Sequence, residues 1–495
     1  TQSGGAIYAL DSDIDATNLS FSGNRSSIDG GAVALVNSSA TLDDAVFVGN
    51  TSLQGGAIYS EQSDPNMTNL TFVSNTALEG GALFDILGEG SYVNTEWNGN
   101  ESERGASIYL SASALYIEQA NLVSNVADKG GAIYAVGSVA EMQSLVLSNN
   151  SAEQGGALWL NRDASELDGL DISSNEAEQG GGLYIENSIT HLKDNTISNN
   201  EAEQGGGAFV GGNEDSPDFD RNDFVVNEAE QGGGIYLQDQ IGEISHVTLL
   251  SNEADNGGGL YIENGSNIVH NITLQNNEAN NSGGAIYVDS QSDTVTLKNI
   301  QASMNEAENG GGISVHAGEV DVRNVILQNN QASSGAALFQ NNGSVSVSNA
   351  TLESNIATEG GGVASQNGII EIRNSDFTNN IGSGLVEIDT LANIQVSHSN
   401  LYANVPENFV GDSLVETVNG NLSTDPMYVN SGSNNILLST TSSGTISLTD
   451  VRLSSSSPLL DAGDSTILDP DNTVSNVGAW GGPDADNWDL DGDGF

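Results

Sequence analysis

Residues 175–188 read NEAEQGGGLYIENS, residues 200–213 read NEAEQGGGAFVGGN, and residues 227–240 read NEAEQGGGIYLQDQ. The repetition runs far beyond these three. One Asn per unit marks it from Asn24 to Asn380; the step is 25 residues almost throughout, 26 at the first step, 27 into Asn227 and 28 into Asn305. A period of this length constrains the fold more than any local propensity, because a unit so short cannot bury its own apolar face and must stack on its neighbours. Within a unit the apolar positions recur every second residue. Phe21, Phe47, Phe72 and Trp97 stand three before the marker, Leu42, Met67 and Ile117 eight before it, and Ile58, Leu83 and Ile108 eight after it. That is strand periodicity, in runs too short for helices and punctuated by Gly and Asn. Each unit therefore holds about three short strands, and one unit per winding gives an all-β parallel β-helix. About 15 coils of 25 residues over 1–404, stacked at roughly 4.8 Å, predict a rod roughly 70 Å long.

The recurring polar columns have structural roles in such a stack. Asn150, Asn175, Asn200, Asn227, Asn252 and Asn277 are expected to sit at left-handed corners and to bond amide to amide between coils. The Gly pair that follows supplies positive φ or a close backbone approach. The longer steps place small insertions near GGNEDSPDF and NNSG.

Charge narrows the choice of partner. The 495 residues include 67 Asp plus Glu against 10 Lys plus Arg, a formal net charge of -57. Such a surface repels nucleic acid and anionic lipid. No apolar run is long enough to span a membrane, so no direct membrane insertion is expected. The absence of cysteine removes disulfides and thiolate metal sites.

Many of the acids fall in two columns. Glu176, Glu201, Glu228 and Glu253 directly follow the marker, and Glu178, Glu203, Glu230 and Asp255 come two residues later. Like carboxylates one strand spacing apart repel by roughly 0.9 kcal/mol in water. Either solvent and salt relieve them, or divalent cations such as Ca²⁺ bridge adjacent coils. A third column is aromatic: Tyr109, Tyr134, Trp159, Tyr184, Phe209, Tyr236, Tyr261 and Tyr287. It adjoins the aliphatic column, so strand alternation puts the two on opposite faces. The aromatics are then either a ladder that stabilises the stack or a contact surface for sugar rings or another protein.

The motif GGAI, at residues 4–7, 55–58, 130–133 and 283–286, alternates with FSGN, FVGN, FVSN and FTNN. This pairing resembles the repeat of chlamydial-type polymorphic outer-membrane proteins and, more broadly, the right-handed parallel β-helix proteins that bacteria secrete. The resemblance covers roughly residues 1–404. It implies a right-handed helix, an extracellular or cell-surface location and use as an adhesive passenger domain. No C-terminal run of amphipathic strands that could form an outer-membrane barrel follows.

After about residue 405 the register fades. The stretch RLSSSSPLLDAGDS and the later GAWGGP are similar to the segment closing many secreted bacterial β-helix proteins, so 405–482 is expected to hold the last coils and a cap over unpaired strand edges. Residues 483–495 form an acidic tail in which Asp489, Asp491 and Asp493 precede Gly494, the first half of a calcium loop. The Arg and His residues are scattered through the repeat and no stretch concentrates them with Asp, so no catalytic residues are assigned and the chain is expected not to be an enzyme. Together these features point to a secreted or cell-surface structural or adhesive rod, stabilised by Ca²⁺, with a surface protein, a glycan or its own ends as partner. The alternative is a carbohydrate-binding or polysaccharide lyase-like β-helix module.

Overall fold

The computed structural model describes residues 2–212, 216–411, 419–430, 436–437 and 447–486. Among these residues there is no helix, and the chain forms a parallel β-solenoid of about 16 turns. It divides into two compact units, Thr1–Gly242 and Glu243–Phe495.

In the first unit one turn consists of Leu158–Asn161, Glu166–Asp168 and Asp171–Ser173. These pair in parallel with Leu183–Glu186, His191–Lys193 and Thr196–Ser198, each residue opposite the one 25 positions on. The core lies inside the windings: Leu158, Leu160, Leu167 and Ile172 are fully buried or nearly so, and the next turn repeats the pattern with Leu183, Ile185, Leu192 and Ile197. The position three before the marker stacks its rings inside this core, with centroids 4.7 Å apart for Phe21–Phe47 and 3.9 Å for Phe72–Trp97.

The marker Asn forms the expected ladder. Asn175 Nδ2 donates to Asn200 Oδ1 at 2.9 Å and to Leu147 O at 3.0 Å, and Asn175 Oδ1 accepts from the backbone N and Nδ2 of Asn150, both at 2.9 Å. In the second unit Asn252 Nδ2 donates in the same way to Asn277 Oδ1. The corner itself is displaced from where the sequence suggested. The left-handed residue is the one before the marker, as at Ser174 (φ 57), Asn199 (φ 53) and Asn276 (φ 55). Its neighbour can then turn its amide inward to meet the next coil. The two glycines divide the roles expected of them. Gly180 has φ +66, while at Gly181 a Cβ would lie 2.5 Å from the carbonyls of Glu201 and Gly206 on the next turn.

In the second unit Val363–Ser365, Gly368–Arg373 and Asp376–Thr378 pair in parallel with Leu385–Glu387, Ala392–Ser397 and Asn400–Tyr402. The NNSG insertion appears as a bulge at Ala279–Ser282. The described residues after 405 first carry on the coils, with Phe409 and Val410 pairing in parallel with Leu385 and Val386. Leu422 continues one partial turn by bonding to Ser399 and Leu401. Beyond it the chain doubles back along the outside of the preceding turns. There Asn324 donates to the carbonyls of Ala479 and Gly481 at 2.8 Å, and Asn349 donates to Ser475 Oγ at 3.0 Å. Asn324, Asn349 and Asn374 are left-handed corners at φ 50, so their side chains are free to serve this returning segment.

Candidate functional site

The doubled-back segment builds a groove against the second strands of three successive turns in the second unit. Those strands are Ser344–Ser348, Gly368–Arg373 and Ala392–Ser397. Alternation sends Val345, Val347, Ile370, Ile372, Ile394 and Val396 into the core. It leaves outward rows in register across the turns: Ser346, Glu371 and Gln395 in one, Ser348, Arg373 and Ser397 in the other. With Asn393 these rows line a groove of about 730 Å³, which Asn419 and Ile467 help to wall.

Electrostatics concentrate at one side of it. Arg373 pairs with Asp464 of the returning segment at 3.5 Å, and Asp464 is itself fixed by its backbone N–H donating to Asn374 Oδ1 at 2.8 Å. The Asp464 carboxyl is held below the usual carboxylate range, first by the backbone and hydroxyl donors of Thr466 and then by the charges of His398 and Arg373. The His398 ring is half-buried, and its Nδ1 is buried without a hydrogen-bond partner among the described residues. Arg373 and His398, from adjacent turns, thus meet Asp464 of the returning segment beside a groove that also presents the exposed Glu371. Polar donors and acceptors of both kinds on a concave surface can hold the hydroxyls and amides of a sugar chain.

The residues singled out in the sequence lie elsewhere. In the first unit Glu176, Glu178, Glu201, Glu203, Glu228 and Glu230 are all exposed, and in the second so are Glu253 and Asp255. Among the described residues no three His, Asp or Glu side chains converge on a metal-binding arrangement. The acid columns therefore offer no preformed set of six or more oxygens of the kind Ca²⁺ takes. Asp489, Asp491 and Asp493 lie outside the described residues. The Gln of the EAEQ motif forms an amide ladder that sequence reasoning passed over, with Gln154 Nε2 to Gln179 Oε1 and Gln179 Nε2 to Gln204 Oε1 both at 2.8 Å. Its even spacing was the available signal.

The aromatic column is stacked along the coils. In the first unit the centroids are 4.9 Å apart for Tyr109–Tyr134, 4.4 Å for Tyr134–Trp159 and 4.9 Å for Tyr184–Phe209. In the second, Tyr261–Tyr287 are 4.8 Å apart. None of Tyr109, Tyr134, Trp159, Tyr184, Phe209, Tyr236, Tyr261 and Tyr287 is more than 9% exposed. Burial accordingly pushes the hydroxyls of Tyr109 and Tyr184 up to about 12. Of the two readings of this column, the stabilising ladder is the one this stacking and burial favour; as a contact surface it offers little exposed area. The faces of stacked rings are taken up largely by their neighbours, and Lys129 Nζ lies over the Trp159 ring, 5.2 Å from its centroid.

Comparison with known proteins fits this architecture. Residues 131–302 match the family described as right handed beta helix region, and residues 44–61 match the Chlamydia polymorphic membrane protein repeat. No curated protein matches. Among solved structures, a tailspike protein mutant of E. coli bacteriophage HK620, in complex with a hexasaccharide, is 10% identical. The match covers 83% of this chain and 71% of that one, with a TM-score of 0.34. The catalytic unit of a thermostable GH87 alpha-1,3-glucanase from Streptomyces thermodiastaticus is 11% identical over 83% of this chain and 64% of that one, with a TM-score of 0.27. The expectation that the chain is not an enzyme is corrected by this set, which includes a catalytic unit. Scattered Arg and His in a uniform repeat do not exclude an active site, because a segment leaving the solenoid can bring a carboxylate to them, as Asp464 is brought to Arg373.

Proposed function

We propose that this right-handed parallel β-helix, with repeats of polymorphic membrane protein type, is a surface or extracellular carbohydrate-binding protein whose groove holds a neutral glycan. The observation that carries the reading is the groove of about 730 Å³, with outward rows from three turns in register and a second wall from the returning segment. A glycan laid along such rows meets alternating hydroxyl, amide and charged partners at one strand spacing, which suits a polymer of repeated hydroxyl patterns. The net charge of -57 opposes acidic polysaccharides and favours uncharged or N-acetylated ones. Glu371 and Arg373 stand two residues apart on one strand and so share the outward face, where they flank a bound sugar.

Titration calorimetry of the full chain with neutral, N-acetylated and acidic oligosaccharides tests this, together with chromatography of the same mixtures for cleavage products. Binding of a neutral or N-acetylated glycan, weakened at least about tenfold by Arg373→Ala, supports it. Failure to bind any of the panel, or equal affinity in Arg373→Ala and Gln395→Ala, refutes it.

A further inference from the structure

Next to the groove, the returning segment covers two carboxylates that its absence would leave in water. Asp376 stands four residues before the marker Asn380; in the first unit the same column carries Glu96, Asp171 and Asp223, all exposed. Asp376 is 1% exposed and Glu353, on the preceding turn, 3%. The cover is specific. Tyr428 of the segment donates its hydroxyl to Asp376 Oδ2 at 2.5 Å, while Thr378 Oγ1 and Asn400 Nδ2 donate to Oδ1 at 2.7 and 2.9 Å. Glu353 accepts from Ser354 Oγ at 2.5 Å and Gln328 Nε2 at 3.3 Å, and the same Gln328 amide donates to Thr449 O of the segment at 2.9 Å. Ile326, Tyr428, Val451 and Ala479 pack into an apolar cluster beside the pair, with Leu453 and Trp480 against it. The titratable groups facing Asp376 are therefore Tyr428 from the segment and Glu353 from its own sheet.

We propose that residues 426–430 and 447–482 are a proton-sensitive strap: ionisation of Asp376 weakens their seat on the third-strand face, and loosening them moves the groove wall that carries Ile467. Covering a carboxylate with apolar side chains and a neighbouring acid penalises its charged form far more than three neutral donors restore it. Burial lifts the Asp376 carboxyl to about 6 from an ordinary 3.8. With the strap lifted, Asp376 meets solvent as Glu96, Asp171 and Asp223 do. A carboxyl whose value is raised by covering takes up a proton on covering. The seat is thus fully held below about pH 4, weakens as pH rises through about 6, and is constant above that, a change of about a hundredfold in the seating equilibrium.

The strap's backbone reports on this without any glycan, so the inference stands or falls apart from the proposed function. Hydrogen–deuterium exchange of peptides within 447–482, corrected for the intrinsic pH dependence of exchange, is followed from pH 4 to 7.5 in the full chain. The expected result is a fall in strap protection of about a hundredfold, absent from the first-unit strands, markedly reduced in Asp376→Asn, which keeps the shape and cannot ionise, and absent when Glu353→Gln is added to it. Tyr428→Phe leaves both carboxylates in place and is expected to lose strap protection already at pH 4. Strap protection independent of pH in the wild type, the same fall in Asp376→Asn, or full protection of Tyr428→Phe at pH 4 overturns the proposal.

Discussion

Replacing one rung of the Asn ladder shows how much of the stack depends on it. In Asn175→Ala the backbone N–H of Asn150 loses its acceptor, one Nδ2–H of Asn150 loses the same oxygen, and the Leu147 carbonyl loses its side-chain donor. Asn200 Oδ1 still accepts from the Asn175 backbone, and Asn150 Nδ2 still reaches Leu122 O. Two groups of Asn150 are left unpaired at a site 1% exposed, while the Leu147 carbonyl keeps its partner in the strand ladder. At about 1–1.5 kcal/mol for each buried group left without a partner, the expected loss is about 2–3 kcal/mol. Glu176→Ala, one residue on and exposed, is expected to change stability by less than about 0.5 kcal/mol. Because stacked repeats open locally as well as globally, urea unfolding followed by circular dichroism is paired with hydrogen exchange at the Asn150 amide. A loss below about 1 kcal/mol in Asn175→Ala, with the Asn150 amide still protected, would refute the reasoning.

Two further predictions concern ionisable groups. Asp85 is fully buried in the first-unit core, in the column that carries Leu110 and Leu160, and burial pushes its carboxyl up to about 6 from 3.8. Its raised value means that folding takes up a proton, so its contribution favours the fold below about pH 4 and is lost as pH rises through 6. Asp85→Asn should therefore match the wild type in urea unfolding near pH 4 and exceed it by up to about 3 kcal/mol above pH 7. For the acid columns, millimolar Ca²⁺ is expected to raise the melting temperature no more than NaCl of equal ionic strength, since exposed carboxylates one coil apart are screened rather than gathered around an ion. A calcium-specific rise abolished by Glu201→Gln would establish bridging instead.

The parts of the fold that repeat could be read from the sequence. The 25-residue step fixed the register, so Leu183 lies opposite Leu158 and Asn200 opposite Asn175. What the sequence left out are features that need a second, unlike piece of chain. The contacts of Asn324 with Ala479 and of Asn374 with Asp464 join residues 155 and 90 positions apart, with no periodicity to betray them. Arg373 therefore looked like one more scattered cation. Alternation correctly separated the aromatic column from the aliphatic one, but it specifies a face and not what covers it. The closeness of Lys129 to Trp159, and the Tyr59 hydroxyl bond to Glu61 at 3.0 Å, belong to flanking columns that a face assignment ignores. The displaced left-handed corner has a similar origin, since Asn at both positions 199 and 200 hides which of the two turns the chain.

The stacking of one repeat per winding can be tested directly by cross-linking, against a background free of native cysteine. Glu176 and Glu201 are bridged partners on adjacent turns, and Glu228 pairs with Glu201 one turn further on. Their Cα separations are about 4.8 Å and about twice that, and a disulfide spans about 4.4–6.8 Å. Mild oxidation is expected to join the pair Glu176→Cys and Glu201→Cys within one chain and to leave the pair Glu176→Cys and Glu228→Cys reduced. Rapid bridging of the second pair, or none in the first, would contradict a solenoid wound at 25 residues per turn.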